Sequence, residues 1–184
     1  MTGNEQLAAA LQYAIATVAP VAADQYPLPT PCRDWDLRML LQHACDSVAA
    51  LAEGYCDGAV RLEADSAVPS ADPARDFTGR AALLLARCQA GAGRDVLIGG
   101  CPLAAGQLAA IGAIEMAVHA WDVSQASGAG QPIPEPLAAA LLPAAVTLIT
   151  DDDRSCRFAP SHDVPDWACA SERLTAFLGR CPQR

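Results

Sequence analysis

Apolar residues recur at helical spacing through most of the chain, and this periodicity restricts the fold more than any other feature. Several separate segments carry one apolar face each and are long enough for four or more turns of helix. They are residues 5–19, 37–53, 76–90, 106–126 and 134–150. Because no strand pattern alternates with them, we predict an all-α fold, a four-helix bundle.

The second periodic segment carries recognisable boundary signals. Asp36 stands directly before it, where a carboxylate accepts hydrogen bonds from the free N–H groups of a first helical turn. Gly54 follows Glu53, and we expect it to end this helix. Residues 55–75 are rich in Gly, Asp, Ser and Pro and are predicted to form a loop.

Smaller elements are predicted near the middle and the end of the chain. Residues 96–98 are apolar and β-branched, which favours a minor extended segment paired with 101–104. The acidic cluster 151–153 is predicted to open a loop. Ser171 is predicted to cap an extra short C-terminal helix that runs through Leu178.

Length and charge limit the organisation and the partners. The chain has 184 residues, enough to bury about 70% of its unfolded surface without disulfides or metal, so we expect residues 1–184 to form a single domain. Its formal net charge is −9, and its basic residues are twelve scattered arginines. We therefore expect neither a nucleic acid nor an anionic membrane as a partner.

The remaining composition favours a cytoplasmic protein that acts on a small molecule. No apolar run of 18 residues and no signal-peptide pattern is seen. The eight cysteines contain no C-x-x-C pair, and most are expected to be buried, reduced thiols. We expect a monomer or a homodimer.

The chemically informative segment is the fourth periodic one. One face of it begins apolar and becomes polar halfway along, in steps of three or four residues: Leu108, Ile111, Glu115, His119 and Asp122. An unpaired carboxylate buried at Glu115 would cost several kcal/mol. A divalent cation bound by Glu115 and His119, one turn apart, would compensate for it.

His43, one of three histidines, lies within the second periodic segment. If two helices of one bundle offer His43 together with Glu115 and His119, the set is two imidazoles and a carboxylate. Such a set leaves a coordination position open, as catalytic zinc sites do. Taken separately, a Glu and a His four residues apart more often form a surface pair, and a lone His in a helix more often bonds a carbonyl.

Further residues have two interpretations each. Asp122 is predicted to belong to the catalytic site by accepting a hydrogen bond from His119, with a purely structural hydrogen bond as the alternative. Arg180 is predicted to bind an anionic group of a substrate or cofactor, with a helix-end salt bridge as the alternative. His162 is expected to be exposed, and Cys45 is expected to face away from His43.

Three separated motifs resemble those of one known family. Residues 30–43 resemble the T-P-C-x-D-W-x-x-R-x-L-x-x-H stretch of the DinB-like metal-binding superfamily, in the branch related to mycothiol-dependent maleylpyruvate isomerase. Residues 115–122 resemble its E-x-x-x-H-x-W-D motif, and 173–180 its closing R-L-x-A-x-x-G-R. The resemblance implies a DinB-like four-helix bundle.

The resemblance also implies a divalent metal held by His43, Glu115 and His119. Zinc is the expected ion and nickel the alternative. It implies a low-molecular-weight thiol such as mycothiol as co-substrate, for isomerisation or S-transfer on a small electrophilic molecule. Two other hypotheses stay open: a hydrolase or lyase that uses metal-activated water, and a non-catalytic metal-stabilised bundle that binds a ligand.

Overall fold

The computed structural model describes residues 1–60, 70–91, 95–154 and 158–181. It is predominantly helical, which confirms the predicted fold class. No helix in these ranges is both long and apolar enough to cross a bilayer. In chain order the elements are α1 (Gly3–Val18), a 3₁₀ turn (Ala23–Gln25), α2 (Leu37–Asp57), β1 (Ala59–Val60), α3 (Pro73–Ala90), β2 (Val96–Ile98), β3 (Cys101–Leu103), α4 (Ala105–Ala126), α5 (Glu135–Leu148), α6 (Asp151–Arg154) and α7 (Ala170–Phe177).

Helices α1 to α4 form the bundle around a core of aliphatic side chains. α1 packs along α4, and α2 packs against both α3 and α4. Close approach is possible because small residues lie where backbones meet: a Cβ on Gly3 would come 2.6 Å from the carbonyl oxygen of Gly106. The largest wholly buried side chains include Leu7, Leu40 and Phe77.

Helices α2 and α4 run antiparallel, and this register positions the site described below. His43 contacts Glu115, whereas Gly54, three turns further along α2, lies against Leu108 near the start of α4. Between them, Leu51 lies against the backbone of α4 at Gly112. The first half of α2 therefore meets the middle of α4, and the end of α2 meets the start of α4.

Gly54 does not end α2, contrary to the prediction. The helix continues to Asp57 and is closed by Gly58, which has a left-handed φ of 69°. Gly54 lies inside the helix because a Cβ there would come 2.8 Å from Cδ2 of Leu108 on α4. Its small size serves helix packing. The predicted cap at the other end is confirmed, since the Asp36 carboxylate accepts from the N–H of Met39 at 2.8 Å.

The segment between α2 and α3 is shorter than predicted within its described part. α3 begins at Pro73, where Asp72 caps it by accepting from the N–H of Arg75 at 3.2 Å. The same carboxylate accepts from the hydroxyl of Tyr26 at 2.7 Å, which fixes this end of α3 to the bundle. Residues 61–69 of the predicted loop lie outside the described residues.

A small three-stranded sheet lies beside the end of α2. β2 and β3 pair in antiparallel register, with Leu97 opposite Pro102, which confirms the predicted extended pair. β1 was not predicted, and it pairs parallel to β2 with Ala59 opposite Leu97. The sheet takes only eight residues and does not change the fold class.

The C-terminal part departs from the prediction in two places. The acidic cluster begins the short helix α6, where a loop was predicted. The N-cap of α7 is Cys169, and the hydroxyl of Ser171 instead accepts from the N–H of Ile133 at 3.0 Å, which joins α7 to the segment before α5. Gly179, with φ of 76°, follows α7 as predicted.

Candidate metal centre

Helices α2 and α4 bring three metal-binding side chains to one point. Nε2 of His43 lies 2.8 Å from Oε1 of Glu115, and Nε2 of His119 lies 3.3 Å from the same oxygen. One ligand atom from each of the three residues lies within 4.8 Å of the others. The antiparallel register supplies His43, and the i, i+4 spacing on α4 supplies the other two.

His119 is oriented by a buried carboxylate. Its Nδ1 lies 3.1 Å from Oδ2 of Asp122, whose side chain is wholly buried. Burial opposes ionisation of Asp122, but hydrogen bonds and charge from His119 and Arg180 outweigh it and lower its pKa. An ionised carboxylate only accepts, so Nδ1 of His119 carries the proton. In a neutral His119, Nε2 then carries no proton, and its lone pair is directed at Glu115.

This arrangement requires a positive charge between His119 and Glu115. Without one, the lone pair on Nε2 and the carboxylate oxygen would face each other at 3.3 Å. Burial works against charge on both groups. Nevertheless, hydrogen bonds from His119 and His43 hold the pKa of Glu115 well below its usual value, and hydrogen bonds to Asp122, Cys32 and Glu115 raise that of His119 well above its usual value. A bound cation meets the same requirement.

The donor set fits a small divalent metal ion. Two ligands bound to one zinc ion at about 2.1 Å each are about 3.4 Å apart at the tetrahedral angle. The separation of 3.3 Å between Oε1 of Glu115 and Nε2 of His119 lies near that value. The 2.8 Å to Nε2 of His43 is a hydrogen-bond distance and would lengthen on metal binding. Two imidazoles and one carboxylate are also a ligand set that leaves a coordination position for another molecule.

The centre is reached from the side of His43. The side chains of His43 and Glu115 are 38% and 30% exposed, whereas that of His119 is 10% exposed. His119 also lines a small interior cavity of about 10 Å³, which has room for at most about one water molecule. The centre is therefore open to solvent on the side of His43 and Glu115.

The turn before α2 places an aromatic wall beside the centre. The ring of Trp35 is 4.9 Å from that of His43, centroid to centroid. Thr30 pins the turn, because its hydroxyl bonds the carbonyl of Trp35 at 2.9 Å and accepts from the N–H of Cys32 at 3.2 Å. Asp34 has a left-handed φ of 67° in this turn. Thr30, Cys32, Asp34 and Trp35 all belong to the opening T-P-C-x-D-W of the first motif.

Two residues near the centre were not predicted as parts of the site. The hydroxyl of Ser47 donates to Oε1 of Glu115 at 3.1 Å. Its position one turn after His43 on α2 was the available signal. Sγ of Cys32 lies 3.2 Å from Oδ2 of Asp122 and 3.9 Å from Nδ1 of His119. Its place within the first motif was the signal there.

Cys32, His119 and Asp122 form a second group whose possible ligand atoms lie within 4.8 Å of one another. In that group His119 offers Nδ1, which already bonds Asp122. The two groups therefore use opposite nitrogens of one ring, and the group with His43 and Glu115 is the one that leaves the hydrogen bond to Asp122 intact.

The other predicted residues lie as follows. Arg180 is 9% exposed, and its guanidinium forms a salt bridge with Asp122, a residue of the site. The binding of an anionic ligand by Arg180 stays a prediction. His162 is exposed, as expected. Cys45 points towards α3, where its thiol donates to the carbonyl of Pro73 at 3.4 Å. The described cysteines are free thiols, but the expectation that most are buried is wrong for them: Cys45 and Cys88 are buried, Cys32 is half-buried, and the rest are exposed. Cys156 lies outside the described residues.

Fold and site together define a class of protein, a helical bundle in which two antiparallel helices bring two imidazoles and a carboxylate close enough to hold one divalent metal. The chain matches the family model of the mycothiol maleylpyruvate isomerase N-terminal domain over residues 7–124, and it belongs to this family, within the DinB-like superfamily. The family is mycothiol-related and metal-binding. The matched range contains the three candidate ligands and ends before α5. No curated protein and no solved structure gives a significant match.

Proposed function

We propose that this chain is a metal-dependent enzyme that uses a low-molecular-weight thiol, of the mycothiol class, to isomerise or S-conjugate a small electrophilic substrate. One observation carries the proposal: His43, Glu115 and His119 converge on a partly exposed point in a member of a mycothiol-related family. The resident ion is proposed to be Zn²⁺, with Ni²⁺ as the alternative, since imidazole and carboxylate donors suit both.

The bound ion supplies Lewis-acid chemistry, lowering the pKa of a water or thiol that binds beside it. The residues of the chain supply orientation. Asp122 accepts a hydrogen bond from the Nδ1–H of His119 and so directs Nε2 towards Glu115. Ser47 holds Oε1 of Glu115 by donating to it. These contacts fix the ligands before a substrate arrives, which reduces the reorganisation needed for reaction.

The exposed side of the centre is where thiol and electrophile would meet. His43 forms part of that surface, and the ring of Trp35 borders it at 4.9 Å. An indole face offers apolar contact area to a small organic substrate and restricts its orientation. The proposed partners are therefore small molecules, and the proposed location is the cytoplasm, where a low-molecular-weight thiol stays reduced.

The experiment uses purified protein loaded with Zn²⁺ or, for spectroscopy, with Co²⁺. Mycothiol is titrated by calorimetry, with glutathione and N-acetylcysteine as comparison thiols, and a panel of small electrophiles is then assayed with and without mycothiol. We expect saturable thiol binding that requires the metal, and turnover that requires both. Turnover that does not require thiol would contradict the proposal and favour a hydrolase or lyase that uses metal-activated water. Absence of both thiol binding and turnover would reject it.

A further inference from the structure

We propose that Arg180 is a positioning residue of the metal centre, which acts through Asp122 to hold His119 with Nε2 directed at the metal site. The inference rests on the metal site of the proposed function, but it does not depend on which thiol or electrophile reacts there. It assigns a role in the site to a residue that lies beyond the family-matched range 7–124.

The contact between Arg180 and Asp122 is a two-point ion pair inside the protein. Nε of Arg180 donates to Oδ1 of Asp122 at 3.3 Å, and Nη2 donates to Oδ2 at 3.0 Å. The Asp122 side chain is 0% exposed and that of Arg180 is 9% exposed. Bidentate pairs of this kind fix both distance and orientation of a carboxylate.

The rest of the guanidinium is also occupied. Nη1 donates to the carbonyl oxygen of Leu178 at 3.0 Å, and Nη2 donates to Sγ of Cys32 at 3.4 Å. Arg180 is thus held on three sides, by the bundle, by its own chain and by the turn before α2. A side chain restrained in this way is suited to orienting Asp122.

The backbone delivers Arg180 to the bundle through a tight turn after α7. Gly179 adopts a left-handed φ of 76°, and a Cβ there would collide with the carbonyl of Ala159. The N–H of Arg180 then bonds the carbonyl of Thr175 at 2.9 Å. The turn reverses the chain, so Arg180 reaches a residue of α4 that precedes it by 58 positions.

The link to the metal site is a shared oxygen. Oδ2 of Asp122 receives Nη2 of Arg180 at 3.0 Å and Nδ1 of His119 at 3.1 Å. Without the guanidinium, the buried carboxylate of Asp122 would lose its compensating charge and both hydrogen bonds from Arg180. His119 would then lose the acceptor that selects its protonated nitrogen, and Nε2 would be held less well towards Glu115.

The test compares Arg180→Met with the matched control Arg173→Met. Arg173 is an exposed arginine of α7 whose guanidinium bonds backbone carbonyls of Ala168 and Asp166, so the control makes the same charge change away from the site. We expect Arg180→Met to weaken Zn²⁺ binding by about 10- to 100-fold in a chelator competition, and to alter the visible spectrum of the Co²⁺ form. Arg173→Met should do neither. Unchanged affinity and spectrum in folded Arg180→Met would overturn the inference.

A double-mutant cycle separates positioning from general structural support. If Arg180 acts through Asp122, the double variant Arg180→Met/Asp122→Asn should bind Zn²⁺ no more weakly than Asp122→Asn alone. Losses of affinity that add would contradict the inference. Should Arg180→Met not fold, Arg180→Lys takes its place: weakened binding supports the inference, and wild-type binding overturns it.

A metal-independent readout keeps this inference distinct from the proposed function. The Nδ1 proton of His119, bonded to a buried carboxylate, should give a slowly exchanging imidazole signal in the NMR spectrum of metal-free protein, assignable because the chain has three histidines. We expect Arg180→Met or Arg180→Lys to broaden or shift it and Arg173→Met to leave it unchanged. An unchanged signal in the Arg180 variants would count against the inference even if wild-type protein proves to bind no thiol.

Discussion

Asp122 and His119 share a hydrogen bond inside the bundle, with Oδ2 of the carboxylate 3.1 Å from Nδ1 of the imidazole, while Nε2 of the same ring faces Glu115 at 3.3 Å. The two nitrogens of a neutral imidazole act in opposite senses, one donating and one accepting. The contact at Nδ1 therefore determines what Nε2 can bind.

Removal of either histidine ligand should empty the metal site. We expect His43→Ala and His119→Ala to weaken Zn²⁺ binding by more than about 100-fold, because even residues that only orient a ligand contribute about 10- to 100-fold. Elemental analysis after dialysis measures occupancy. The control is His162→Ala, which removes an exposed imidazole from a loop and should retain stoichiometric metal. Stoichiometric metal in the His119 variant would contradict the assignment.

Metal binding should raise the melting temperature of the wild-type protein. At a free Zn²⁺ concentration about 100 times Kd the folded state gains about 2.7 kcal/mol, which for a chain of this length corresponds to about 5–10 °C. Thermal unfolding with Zn²⁺ and then with a chelator measures the shift. His119→Ala should show no shift, and an equal shift in that variant would place the stabilising metal elsewhere.

Cys45 should resist alkylation in the folded protein. Burial raises the pKa of its thiol to about 11, so at pH 8 about one molecule in a thousand carries the reactive thiolate. Iodoacetamide treatment followed by peptide mass mapping should label the exposed Cys169 and Cys181 and leave Cys45 unmodified. Raising the pH towards 11 should increase labelling of Cys45. Rapid labelling at pH 8 would show that this side chain is not buried against α3.

Two glycines in helices should respond oppositely to substitution by alanine. At Gly54 a Cβ would come 2.8 Å from Leu108 and 3.3 Å from Val60, so Gly54→Ala should lower the free energy of unfolding by about 1–3 kcal/mol through overpacking. At Gly79, inside α3, a Cβ meets no neighbour within 4 Å, so Gly79→Ala should raise it by up to about 1 kcal/mol through helix propensity. Urea unfolding monitored by circular dichroism measures both, and a stabilising Gly54→Ala would contradict the close approach of α2 and α4.

The sequence was sufficient where a signal is local or periodic. The apolar faces predicted the helices, and the Asp36 cap followed from one residue beside one helix start. Glu115 and His119 could be assigned to one face because their spacing is that of a single helix turn. His43 was linked to them only by the scarcity of histidine and by family resemblance.

The features that were missed depend on how distant segments meet. Gly54 resembles a helix stop until Leu108 of another helix is placed against it. Ser47 joins the site because α2 and α4 are antiparallel, and Cys32 because the turn before α2 folds back on Asp122. Ser171 has a hydroxyl that could cap a helix, but this hydroxyl instead accepts a hydrogen bond from a backbone N–H in the segment before α5. Each of these contacts joins residues far apart in the sequence, so no local pattern or helical period predicts it.

The glycine at position 112 has a consequence for ion choice. Because it carries no side chain, Leu51 rests directly on the α4 backbone, one turn from Glu115, and a Cβ there would come 2.6 Å from Cδ2 of Leu51. This contact lets α2 and α4 approach closely beside the candidate ligands, and a larger side chain at position 112 would hold the two helices further apart. Short metal–ligand distances suit small ions such as zinc, and longer ones suit larger ions such as calcium. We therefore expect a substitution at Gly112 to change which ion the centre binds best, with every donor atom of the centre left in place.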